Sequence, residues 1–504
     1  MGLWTGVRNM VMRMLQIRPA QENKVVTITE PFSYRTSVMR NRLWYRGDPS
    51  ELDQFYKQTA SDAVSRSRFW AAVPSEGLGI RKFHSGLPAM VADRLSDIVI
   101  ADMDAVKLQT QTETDTWDEI SKDNDFPELL GNSITEALIT GDGAFKITAD
   151  TDVTKYPIVE FYSGEQVDYV VKRGRLQAII FNTEYQVRER VYRLEETFSR
   201  GKIEFKLLDA NGKEVPLTTL PETAGLQEVT FKGNFIMAVS LKIFKSQKWS
   251  NRGKSIFDSK SDSYDALDEV ISQWMDAIRA GRVQKYIPDD LVPRDPNTGM
   301  HIKPNPFDNQ YIKLNTGLME DSKGQVSMVQ PQILYEAFVS SYASTLDMCL
   351  QGIISPSTLG IDLKKTDNAE AQREKEKATL YTRGKIVDRL NEIIPELVIA
   401  VMKTYDIFFL MKATPGEYEP SVSFGEYASP SFDAVVETVG KARTYQIMSI
   451  ERAVEEMYGD TWTDEEKAEE VARLKEEQGL LEVDEPSTNR DKPPDDPEDE
   501  DEGE

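Results

Sequence analysis

The chain has 504 residues, 85 of them acidic and 60 basic, and a formal net charge of −25. A surface so charged repels itself and other polyanions, which argues against a protein that coats nucleic acid nonspecifically. One cysteine, Cys349, excludes an intramolecular disulfide. The most apolar stretch, 393–411, is broken by Pro395, Glu396, Lys403 and Asp406 and falls short of the roughly 20 residues a membrane span needs.

The charge is uneven. Residues 1–47 carry eight basic and two acidic side chains, whereas 482–504 carry twelve acidic and two basic. The opening LWTGVRNMVMRML is basic and amphipathic but lacks the apolar centre and cleavage site of a secretory signal, and Gly6 stands where a myristoylation signal wants Ser or Thr. It reads as a short docking helix.

Residues 50–140 show helical spacing, with Leu52, Phe55 and Tyr56 on one face and Met90, Val91, Leu95 and Ile98 on another. Asn132–Thr140 forms a third apolar helix stopped by Gly141. From Ala144 to about Ser240 the period becomes two, through IVEFY, VDYVV, LQAIIF, VRERVYRL and KIEFKLL, and Asn211-Gly212 predicts a hairpin turn. The body is therefore expected to be α+β.

From Ser255 the helical period returns. Tyr264, Leu267, Ile271, Trp274 and Ile278 form a packing face, and Asp258, Asp262, Asp265, Glu269 and Asp276 form an acidic one half a turn away. Two readings fit that stripe: an ordinary solvated face, or a face past which DNA must move without sticking. Residues 284–330 hold Pro288, Pro293, Pro296, Pro304 and Pro306 with two strand-like runs, YIKL and QVSMV, so they form a small module between helices. The next helix, roughly Gln332–Gln351, has Glu336 and Asp347 as its charges and is rich in Ser and Ala, which predicts burial on most sides by other subunits.

Asp367 with Glu370 forms a capping box for one long helix to about Tyr405, with a stripe of Leu380, Val387, Leu390, Ile394, Leu397 and Val401 and a kink expected at Pro395. Three helices follow, Phe432 to about Ala442, Ser449–Tyr458 and Thr463–Gln478, the last with a Thr463/Glu466 capping box. Beyond Val483 the composition predicts disorder.

No catalytic motif emerges. The two histidines, His84 and His301, lie in segments of different type, and the GKS string at Gly253–Ser255 lacks the Gly-rich turn of a phosphate loop because Lys248 stands where that motif needs Gly. The sequence predicts no enzyme, no cofactor and no metal.

The order of segments resembles the portal proteins, or head-to-tail connectors, of tailed double-stranded DNA bacteriophages over about residues 40–480. The resemblance is carried by RLWYRGD at 42–48, GNSITEALITGDGAFKI at 131–147, GKSIFDS at 253–259 and SPSTLGIDLKKTDNAEAQREKEK at 355–377. It implies an elongated portal-type subunit: an N-terminal arm at 1–40, an α+β wing at 41–254 joined by 367–425, and a two-helix stem at 255–280 and 331–352. A small α/β clip at 281–330, a tunnel loop at 353–366, a long kinked helix at 367–425, a helical crown at 426–481 and an acidic tail at 482–504 complete it.

By the same resemblance the working form is a homo-oligomeric ring, commonly of twelve subunits, at one capsid vertex of a virion assembled in the host cytoplasm. Its partners would be the large terminase, adaptor or head-completion proteins, the major capsid and scaffold proteins, and double-stranded DNA passing through, with no membrane. Lys364 and Lys365 would lie at the narrowest point, either touching phosphates or merely solvated. Two rival readings remain: a scaffold or adaptor without a channel, and a nucleotide hydrolase suggested by GKS.

Overall fold

The computed structural model describes residues 30–73, 80–281, 284–288, 294–300, 311–314, 327–329, 332–361, 369–425, 432–459 and 462–477. It is a mixed α+β chain that divides into two compact units, residues 1–425 and 426–504.

In the first unit, α1 (Tyr34–Arg46) starts at Ser33, whose side chain accepts from the Thr36 amide, and ends at Gly47 in the left-handed region. Asp48 caps α2 (Pro49–Thr59), whose first residue is the Pro that a helix tolerates there. The one-turn α3 (Ala63–Arg66), α4 (Leu87–Ile100), α5 (Gln111–Asp123) and α6 (Phe126–Thr140) follow. Leu52, Phe55 and Tyr56 are buried as their spacing predicts, and so are Val91 and Leu95, whereas Met90 faces outward at 44% exposure. Gly141 ends α6 with φ of 102°.

Two sheets adjoin these helices. A three-stranded antiparallel sheet is ordered β2 (Ile158–Ser163), β1 (Gly143–Thr148), β9 (Ala238–Leu241). A larger sheet runs β3 (Val167–Lys172), β4 (Arg175–Val187), β5 (Arg190–Ser199), β6 (Lys202–Asp209), β7 (Glu214–Val215), with β8 (Val229–Thr230) also paired to β6. The Asn211-Gly212 turn joins β6 to β7 as expected, with Leu207 opposite Val215. The run VRERVYRL is not one strand: Val187 closes β4 and pairs with Arg190 of β5 across a two-residue turn in which Arg188 takes φ of 58°. Its alternation hides the break because both flanks keep the same period.

Helix α7 spans Ser261–Ala280, later than the predicted start, because Ser255 to Lys260 is used in turns. Three short strands follow: β10 (Gln284–Pro288) is central, parallel to β11 (Tyr311–Leu314) and antiparallel to β12 (Ser327–Val329). YIKL and part of QVSMV are strands as read, but β10 was masked in the sequence by its proximity to proline. The expected α/β module shows strands and turns and no helix among its described residues. Helix α8 is Tyr335–Leu350.

Helix α9 runs from Ala369 to Phe408, 40 residues, about 60 Å at 1.5 Å per residue. It is continuous through Pro395. Asn391, whose carbonyl loses its helical donor to the proline ring, is exposed and can turn to water. Leu390, Ile394, Leu397 and Val401 are fully buried together with Ile386, Ile393 and Val398, while Leu380 is 41% exposed. The chain then returns along residues 102–107, where Lys107 and Ser421 exchange backbone hydrogen bonds of 3.0 and 2.8 Å. Arg383 of α9 clamps that return, donating to Asp102 at 2.8 Å and to the Gly425 carbonyl at 2.7 Å.

The described residues of the second unit form three helices, α10 (Phe432–Thr444), α11 (Ile450–Tyr458) and α12 (Asp464–Glu477). Thr463 and Glu466 exchange the two bonds of the predicted capping box, at 2.9 and 3.4 Å. The docking helix expected near the N-terminus, Asp367, Gly479 and the acidic tail lie outside the described residues.

The GKS string has a packing explanation. A Cβ on Gly253 would sit 1.9 Å from the Gly141 carbonyl oxygen, and the Gly253 amide donates to buried Asp142 at 2.7 Å. A carboxylate occupies the place where a phosphate loop would hold an anion. Gly253→Ala should therefore lower stability by about 2–4 kcal/mol, whereas Gly174→Ala, with nothing within 4 Å of its Cβ position, should cost about 1 kcal/mol for its positive φ alone. Urea unfolding of the two variants checks the order.

Candidate channel and assembly surface

The acidic face of α7 carries the site candidates, and it is not one uniform face. Asp258, in the turn before the helix, accepts from Arg40 at 3.2 Å and Asn41 at 3.1 Å, and from the Ser255 amide at 3.1 Å. Asp265 is buried and accepts the Phe69 and Trp70 amides at 2.9 and 3.2 Å. Burial pushes its carboxyl above the usual carboxylate range despite those donors. Both acids were expected on an open face; both instead fasten the helix base to residues 40–41 and 69–70. Asp262 is open, 79% exposed, and pairs with Arg68 at 2.6 Å. Glu269 is half-buried and accepts from Gln273, one turn on, at 2.8 Å. Asp276 is half-buried farther along.

The sequence reading missed the strongest anchor. Asp268 has no exposure and takes three donors: the Ser85 amide at 2.9 Å, the Trp70 indole at 3.1 Å and His84 Nδ1 at 2.7 Å. One turn on, Ser272 Oγ accepts the Phe83 amide at 2.9 Å. The signal was present: Asp268 follows Tyr264 by four residues and lies on the apolar side, where a charge must be paired. His84 thereby has a structural place, its ring 5.5 Å from Trp44 and 6.5 Å from Trp70. Among the described residues no group of three or more His, Cys, Asp or Glu side chains is placed to hold a metal. His301 lies outside the described residues.

Burial fades along α7. Tyr264 and Leu267 are buried at 0 and 1%, Ile271 is half-buried, and Ile278 is 47% exposed. Helix α8 pairs with it through Trp274, which stacks on Phe338 with ring centroids 6.1 Å apart and planes 3° from parallel. At the base, Lys260 donates to the Met348 carbonyl at 2.7 Å and Cys349 is buried, its thiol pushed up to about 12 by burial.

Elsewhere α8 is bare. Leu334, Tyr335, Val339 and Met348 are 67, 62, 45 and 54% exposed, with Met275 and Ile278 of α7 adding to the apolar surface. Only its last turn, at Leu346, Cys349 and Leu350, is buried within the chain. The two helices form a hairpin with a polar-locked base and unpartnered apolar flanks. The loop after it holds Leu359 in the core and ends its description at Ile361, so Lys364 and Lys365 lie outside the described residues.

No protein-family model matches the chain, and no curated protein matches it. Among solved structures it is similar to a chain of the neck of a native GTA particle computed with C12 symmetry, at 12% identity and a TM-score of 0.38, covering 76% of this chain and 90% of that one. It is also similar to a chain of the neck of an empty GTA particle computed with C6 symmetry, at 11% identity and a TM-score of 0.34, covering 77% and 89%.

The three donors on Asp268 make a prediction. Asp268→Ala leaves them buried without an acceptor and should cost about 3–5 kcal/mol, while Asp262→Ala, on the open side of the same helix, should change stability by less than about 0.5 kcal/mol. Denaturant unfolding of the two variants measures both.

Proposed function

We propose that this chain is the subunit of a portal ring, the conduit through which double-stranded DNA enters and leaves a phage-type capsid and the dock for terminase and head-completion proteins. The observation that carries this reading is the α7–α8 hairpin: polar side chains fix its base, yet Leu334, Tyr335, Val339, Met275 and Ile278 stay exposed, with no cover among the described residues. Apolar surface of that kind is stabilised when identical neighbours cover it. The order of segments supports the same reading, since the portal-like motifs occur in the sequence in the order such a subunit uses them.

In this scheme Asp262, Glu269 and Asp276 face the bore, while Asp258 and Asp265 hold the stem. Twelve copies would carry roughly 300 negative charges, and duplex DNA carries about one per 1.7 Å of axis. Repulsion keeps the duplex from adhering to the wall. Lys364 and Lys365 supply brief phosphate contacts at the narrowest point, and no step in this account makes or breaks a covalent bond.

Two substitutions separate assembly from passage. Val339→Glu should leave the secondary structure intact and abolish rings in negative-stain images, because a charge would be buried at the junction between copies. Lys364→Glu with Lys365→Glu should form normal rings but package DNA more slowly or retain it less well. Rings that survive Val339→Glu would remove the hairpin from the subunit interface, and normal packaging and retention by the double reversal would remove the phosphate contact.

A further inference from the structure

Turns at one end of the six-stranded path gather positive charge in a chain whose net charge is −25. The β3–β4 connection is a two-residue turn, Arg173-Gly174, with φ of 53° and 74°, and Lys172 and Arg175 pair directly across it. All four residues are exposed. A Cβ on Gly174 would meet nothing within 4 Å, so the turn projects into open space. Lys172, Arg173 and Arg175 form no ion pair among the described residues.

The β5–β6 turn, Arg200-Gly201, reaches the same end, because Ala178 of β4 stands opposite Ser199 of β5. From strand geometry the two turns lie about 10 Å apart across the strands and about 10 Å along them. The segment after β8 folds onto the second turn, with the Phe231 amide donating to the Gly201 carbonyl at 3.0 Å, and carries exposed Lys232. Arg200 donates to the Asn234 carbonyl at 3.1 Å and lies near Glu396, whose carboxyl burial pushes above the usual range while Arg389 and Arg200 offset part of that rise. Lys202 is occupied by Glu204 and Glu228 at 2.9 and 3.0 Å, which also keeps those two carboxylates from neutralising the others.

We infer that this end of the sheet is a contact for the phosphates of double-stranded DNA, separate from the channel. Lys172-Arg173-Gly174-Arg175 and Ser199-Arg200-Gly201-Lys202 present cations, glycine and serine and no aromatic side chain, so the turns lack the apolar centre on which a protein partner would seat. Sequence-independent binding to a duplex needs only charge and reach. Arginine supplies most of the charge, and its planar fork matches phosphate oxygens in pairs. The first turn carries Arg173 and Arg175, both exposed, on a hydrogen-bonded ladder. A closed ring repeats the patch once per copy, which would tether DNA lying beside the particle wall while the acidic bore leaves its DNA free to slide. The inference rests on the portal reading for the identity of the ligand, the ring and the separation from the bore.

The test is fluorescence anisotropy of a short labelled duplex with the purified full-length assembly over a salt series, against the variant Lys172→Ser, Arg173→Ser, Arg175→Ser. The expected result is binding that weakens at least tenfold in the variant at low salt, with the slope of log affinity on log salt shallower by about 2 to 3. Sedimentation of the same samples should show the assembly unchanged. Equal affinity and slope in the two proteins, or no duplex binding by the wild type, would overturn the inference. So would poly-glutamate binding these turns as tightly as the duplex, which would assign them to an acidic protein. Because assembly is read separately, loss of this contact with intact rings leaves the portal reading standing.

Discussion

The ring proposed for this chain depends on how the base of one helix is fastened. Asp258 in the turn before α7, and Asp265 and Asp268 on it, form a row of acceptors for Arg40, Asn41, the Phe69, Trp70 and Ser85 amides, the Trp70 indole and His84. Burying carboxylates is costly unless donors surround them, and here the donors are mostly backbone and ring N–H groups that would themselves be orphaned otherwise. The joint is therefore specific in direction as well as strong. A purely apolar joint would hold the helix but allow it to slide or rotate.

That fixed base allows the rest of the hairpin to remain incomplete. Farther along, Trp274 meets Phe338 and Tyr342 and joins the two helices to each other, while Met275, Ile278, Tyr335 and Val339 stay exposed among the described residues. Helices of 20 and 16 residues are marginal without an apolar face buried against something. A neighbour that supplies the missing cover completes the core of each copy, so association and ordering become one process. The α+β body needs no such help: α9 lays a continuous apolar face over β1, β9 and α4, and Arg383 closes the returning chain.

Much of this was legible in the sequence, for reasons that can be traced residue by residue. Leu52, Phe55 and Tyr56, the stripe from Leu390 to Val401, the Asn211-Gly212 turn and the Thr463/Glu466 box were readable because each is a local pattern with a local cause. The turn at Arg188 was not, since a non-glycine residue carries the positive φ and leaves no mark in composition. The acidic stripe misled in a different way. Periodicity groups Asp258, Asp262, Asp265, Glu269 and Asp276 by angle around an axis, but which of them meet buried amides depends on residues 40–41 and 69–70, some two hundred positions earlier. The cationic end of the sheet was legible in part, since Lys172, Arg173 and Arg175 are neighbours in the sequence, but strand pairing alone brings Arg200 to the same end.

The most direct test of the central claim is hydrogen–deuterium exchange along 261–280 and 335–350, compared between dissociated subunits and the assembly. The account predicts slow exchange near Asp265 and Asp268 in both states, with the Ile278 and Tyr335 ends protected in the assembly alone. Equal protection of those ends in the isolated subunit would show that the hairpin is complete by itself, and the case for a ring built on it would fall.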